Sequence, residues 1–202
     1  MPQLELLLSE GFRQSSSDSI AARLGKVLDI SGPHYYVRRA ADPSQLPQLI
    51  QLLGDAAAWL PLQAAASVYL STLAKHAADA TWKGISTLFK SPEVKPLADT
   101  AEIIAGTASD IGGEVEIFVG LNIPDKHWGT AMQIKAGNPE DIARALALFV
   151  VNADKISKMM QEEIAAGRTP FARAGIEVCD NGGLIVRWRD QNFVTYERKV
   201  GK

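Results

Sequence analysis

Apolar positions alternate most cleanly between residues 114 and 134. Val115, Ile117, Val119 and Leu121 fall on one side of an extended chain, with Glu114, Glu116 and Phe118 on the other. Trp128, Thr130, Met132 and Ile134 resume the alternation after residues 122–127. A period of two predicts a strand, a hairpin loop and a second strand. The period then lengthens: Ile142, Ala145, Leu146, Phe149, Ala153, Ile156, Met160 and Ile164 recur at helical spacing. Asn138-Pro139-Glu140-Asp141 supplies this helix with a cap, a first-turn proline and two carboxylates at its positive end, and Gly167 marks its exit. Beyond it, 176–179 and 184–188 flank Asp180-Asn181-Gly182-Gly183, a hairpin signal. Residues 193–199 extend the hairpin to a three-strand meander through Asp190-Gln191-Asn192.

The first half is less regular. Residues 4–8 read as a strand, Ser15-Ser16-Ser17-Asp18 as a loop and helix cap, and Ile20, Leu24, Val27 and Leu28 as a short helix that Ser31-Gly32-Pro33 ends. Residues 34–39 are rich in strand formers, which completes a β-α-β unit whose two strands need not be neighbours. Leu46, Leu49, Ile50 and Leu53 have the spacing of a helix, stopped by Gly54-Asp55. A long helix is expected from Pro61 to Lys90, and residues 91–113 read as a connection holding a short helix within 97–108. Together these elements predict an α+β protein: a mainly antiparallel sheet, a helix packed on one face, and an Ala-rich helical insertion or subdomain at 43–110 within a single domain of residues 1–202.

The longest uncharged stretch, residues 56–74, has the length of a membrane span. It holds seven alanines against four leucines and one valine, and Pro61 leaves only 61–74 as uncharged helix, so a buried helix is the expectation. Trp59 and Trp82 bracket the Ala-rich helix and Lys75, His76 and Lys83 follow its uncharged portion, the pattern of a helix that lies on a membrane surface when exposed. The start MPQLELLLSEGF carries Glu5 and Glu10 and lacks the basic and continuous apolar regions of a secretory signal. With one cysteine, Cys179, the expected compartment is the cytoplasm, with peripheral membrane contact as the alternative.

The 202 residues include 21 Lys and Arg and 23 Asp and Glu, a net charge of −2, so nucleic acid is not an expected partner. His34, His76 and His127 lack metal-ligand spacing, the paired glycines do not join a strand to a helix, and no GxSxG occurs, so no metal, cofactor or catalytic residue is assigned. Asp125 and His127 share a loop with Trp128, which could bring a carboxylate near an imidazole, with Arg38 or Arg187 as a cationic neighbour. Arg187 and Arg189, with Arg198 and Lys199, give the C-terminal meander a basic surface suited to an acidic partner. Asp125, His127, Trp128, Arg187 and Arg189 are therefore the candidate ligand or partner contacts. The leading expectation is a non-catalytic interaction protein, an adaptor or inhibitory partner, binding another protein or its own copy through the long helix or the meander. A membrane-associated effector that exposes the Ala-rich helix is the first alternative, and a small enzyme centred on Asp125 and His127 the second.

Overall fold

The computed structural model describes residues 2–9, 12, 14–36, 47–75, 87–111, 114–123, 129–135, 137–179 and 182–201. Eight strands form one sheet in the order β2-β1-β3-β4-β5-β6-β7-β8. They are β1 (Leu4–Ser9), β2 (Ile30–Tyr36), β3 (Gln48–Gly54), β4 (Val115–Asn122), β5 (Gly129–Lys135), β6 (Ala174–Val178), β7 (Leu184–Arg189) and β8 (Thr195–Val200). Among the described residues the longer helices that join them are α1 (Gln14–Leu24), α2 (Leu60–Lys75), α3 (Lys95–Ile111) and α4 (Pro139–Ala165), with a 3-10 turn at Ala56–Trp59 before α2.

The α+β class holds, and the sheet is mixed. Its pairs β1/β2, β3/β4 and β5/β6 are parallel, and β1/β3, β4/β5, β6/β7 and β7/β8 antiparallel. Each parallel pair is joined by a helical crossover, because a parallel return needs the chain carried back along the sheet. The β-α-β unit of the N-terminus is one of these, with β1 and β2 adjacent.

Three local expectations are overturned. Leu49, Ile50 and Leu53 belong to strand β3, not to a helix, so the 43–110 section contributes an interior strand as well as helices. A strand buried on both faces has no polar alternation, and its short apolar run satisfies helical and extended spacing equally. Ser31-Gly32-Pro33 does not end a helix but lies inside β2; proline is accommodated because β2 is an edge strand. Ser15, Ser16, Ser17 and Asp18 are in α1 rather than in a loop before it. The expected long helix is described as far as Lys75, and residues 76–86 lie outside the described residues.

One face of the sheet carries the core. Register places Leu6, Leu52, Val119, Met132, Ile176 and Val186 in a row across six strands, all buried. Helices cover this row. α2 packs on α3 and α4, α4 also packs on α3 and reaches β4, β5, β7 and β8, and α1 rests on α3 and β2. The alanines of α2 serve this layer: Ala65 and Ala66 are buried beside Leu62 and Tyr69, so that α2 approaches its neighbours closely. The Tyr69 hydroxyl donates to the Glu140 carbonyl at 3.4 Å, and burial pushes its pKa up to about 12. At the end of α2 that faces the sheet, Trp59 meets Phe149 edge to face at 5.0 Å and donates from Nε1 to the Gly120 carbonyl at 3.3 Å. No helix among the described residues is long and apolar enough to cross a membrane.

Helix α4 follows its sequence signals at both ends. Asn138 Oδ1 accepts from the Asp141 amide at 2.9 Å. At the other end Gly167 takes φ 80°, and the amides of Gly167 and Arg168 donate to the carbonyls of Ile164 and Glu163, a Schellman closure that requires the left-handed residue. The chain leaves this closure toward the C-terminal meander.

Candidate functional site

The helix exit and the meander together build a cleft. Trp188 in β7 donates from Nε1 to the Arg168 carbonyl at 2.9 Å, and the Phe171 amide donates to the Arg189 carbonyl at 2.7 Å. The segment after α4 is thus tied along the end of β7. Glu163, buried near the end of α4, forms ion pairs with both Arg168 and Arg198, which fastens the helix exit to β8. Its carboxyl is held below the usual carboxylate range, first by the Arg168 hydrogen bond and then by Arg198, against the opposing effect of burial.

Glu163 therefore adds stability above the ordinary carboxylate pKa, and that contribution is lost as pH falls through its lowered value. Both arginines are partly exposed, so the expected cost of Glu163→Gln at pH 7 is about 1–2 kcal/mol, or a Tm lower by ~2–8 °C. Thermal unfolding of the two proteins across pH checks this: the gap should close in acid, and a gap that persists unchanged at pH ~3 contradicts the assignment.

The β7–β8 turn forms the opposite wall. Asp190 is buried, and its Oδ1 accepts from the amides of Asn192 and Val194 at 2.9 Å, while Tyr196 donates its hydroxyl to Oδ2 at 3.2 Å. The Tyr196 ring stacks on Trp188 at 5.5 Å. This network fixes Phe193 at φ 61°, a left-handed conformation that costs a bulky L residue about 1–2 kcal/mol. Phe193 is 69% exposed and its ring meets that of Phe171, 61% exposed, with centroids 5.8 Å apart. Val194 extends the apolar surface.

The cleft beside these rings measures about 470 Å³ and is also lined by Arg173, Arg187, Trp188, Arg189 and Thr195. Arg187 is held between Glu177 and Glu197. The Arg189 guanidinium is exposed and makes no ion pair or side-chain hydrogen bond among the described residues. The cleft thus presents two exposed phenylalanine rings, the Trp188 indole and guanidinium groups, with no carboxylate, thiol or imidazole among the described residues that line it.

Of the sequence candidates, Arg187 and Arg189 fall in this cleft. Asp125, His127 and Trp128, as well as Arg38, lie outside the described residues. Sequence reasoning missed Phe171, Arg173 and Phe193. The turn residues Asp190-Gln191-Asn192 were a usable signal for Phe193, since a large apolar residue at a turn end has no core to enter. Away from the cleft, Gln51 Nε2 is buried without a hydrogen-bond partner among the described residues. Among the described residues no group of His, Cys, Asp or Glu side chains is placed to hold a metal ion. No known family model, curated protein or solved structure matches this chain.

Proposed function

We propose that the protein is a non-catalytic interaction module, an adaptor or inhibitory partner, that binds another protein through the cleft at the start of its C-terminal meander. The observation that supports this reading is Phe193: a large aromatic side chain held in the left-handed region and turned to solvent against a second exposed ring. Glycine or asparagine would satisfy the same turn at lower cost. A residue that costs stability and exposes apolar surface is accounted for when a partner covers it. Aromatic and arginine side chains at the centre of a desolvated patch carry most of the energy of protein interfaces. The long helix has less to offer a partner over its described length, because Leu62, Ala65, Ala66 and Tyr69 are spent in the core.

The test compares the full chain with the double variant Phe171→Ala/Phe193→Asn by light scattering and mass spectrometry of what co-purifies. The wild type is expected as a complex and the variant as a free chain, with at least about 2 kcal/mol of binding lost, roughly thirtyfold. Asparagine tolerates φ near 60°, so the variant's Tm should match or exceed that of the wild type. A wild type without any partner, or a complex indifferent to both rings, overturns the reading.

A further inference from the structure

We infer that the partner presents a carboxylate close to one large apolar side chain, the apolar group resting on the paired rings of Phe171 and Phe193 and the carboxylate meeting Arg189. This inference rests on the reading of the cleft as a protein-binding site, and it adds the chemistry of what binds.

Charge complementarity carries the argument. On a chain of net charge −2, the described residues that line this cleft include arginines and no acidic residue. Arg187 has already met Glu177 and Glu197, so its charge is committed within the sheet. Arg189 has no such counterpart among the described residues and stands exposed beside the apolar rings. A guanidinium is planar and offers paired donors to a carboxylate, and the aromatic edge of the cleft shields that pair from water.

The dimensions limit what enters. A volume of 470 Å³ lies in the lower part of the range of ligand pockets, about 300–1,000 Å³, room for an anchor side chain and its neighbours rather than a folded surface. The surroundings limit it further. Glu177 and Glu197 border the arginines, so a long polyanion laid across this surface would meet carboxylates on leaving the cleft. Nucleic acid needs several cationic contacts along its backbone, whereas a carboxylate beside an apolar anchor needs one guanidinium and two rings. The observations therefore favour a polypeptide segment over a nucleic acid.

The experiment is selection of a random peptide library against the full chain, with counter-selection against Phe171→Ala/Phe193→Asn. Enriched peptides should carry Asp or Glu within a few residues of an aromatic or aliphatic residue. Synthetic peptides from that set should bind Arg189→Glu at least about tenfold more weakly than wild type. Exchanging their acidic residues for lysine should restore binding to Arg189→Glu, a recovery that a merely misfolded variant would not show. Enriched peptides without acidic residues, binding unchanged in Arg189→Glu, no enrichment at all, or an RNA competing for the cleft each overturn the inference. If the native complex depends on Phe171 and Phe193 yet ignores Arg189→Glu, the interaction reading stands and the acidic partner falls. If it ignores all three positions, both fall.

Discussion

Replacing Gly120 by alanine is expected to destabilise the protein by more than about 3 kcal/mol, the cost of forcing an extra group into packed structure that cannot yield. Gly120 sits in β4 where a Cβ would lie 2.1 Å from the Thr130 carbonyl oxygen and 2.8 Å from a Leu53 methyl group. The first of these is backbone, so relief requires β4 and β5 to part. Parting them disturbs the pairing of Gly120 with Ala131 and the acceptance of the Trp59 indole by the Gly120 carbonyl. For a chain of this length the expected fall in Tm is at least ~6 °C, measurable by scanning calorimetry. An unchanged Tm would mean that the two strands do not approach as described.

The second large effect is expected at Trp59, which is 1% exposed and ties the helical layer to the sheet. It follows the end of β3, packs edge to face on Phe149 of α4, and donates to the backbone of β4. Trp59→Ala should cost about 3–5 kcal/mol, the range for deleting a buried aromatic side chain. Trp59→Phe keeps a ring against Phe149 and loses the hydrogen bond, leaving the Gly120 carbonyl without that donor, so its cost should be nearer 1–2 kcal/mol. Urea unfolding of both variants, followed by circular dichroism, separates the two contributions. Equal midpoints for the two would show that ring packing contributes little.

Both predictions concern a junction that the linear sequence conceals. Trp59 reads as one flank of an alanine-rich segment, and Gly120 as a small residue in a strand; their contact depends on β3 lying beside β4. That adjacency was illegible because the Leu49, Ile50 and Leu53 spacing also satisfies a helix, and because the order of strands is set by pairings between distant segments. Features written locally were legible. The cap at Asn138, the glycine exit at Gly167, the β4–β5 pairing and the three strands of the meander all follow from residues within a few positions of one another.

The candidate site divides along the same line. Arg187 and Arg189 stand out in sequence because charge on a strand is visible without a fold. Phe171 and Phe193 do not, since a phenylalanine is presumed buried until the structure places it. Their partnership depends on the chain after α4 returning along the end of β7, a tertiary event fixed by Trp188, Arg168 and Glu163.

The position of β3 also governs the order in which the chain can be assembled. It is the strand through which β1 and β2 join the remainder of the sheet. During synthesis its β1 partner is already made when it emerges, but its other edge waits for β4, which emerges only after α2 and α3 have been made. In that interval the helices can cover one face of the growing sheet, while the apolar edge of Gln48–Gly54 stays open. The helical section is therefore a delay as well as a cover, and an edge left unpaired over that interval is the kind of surface to which the strand of another chain can add.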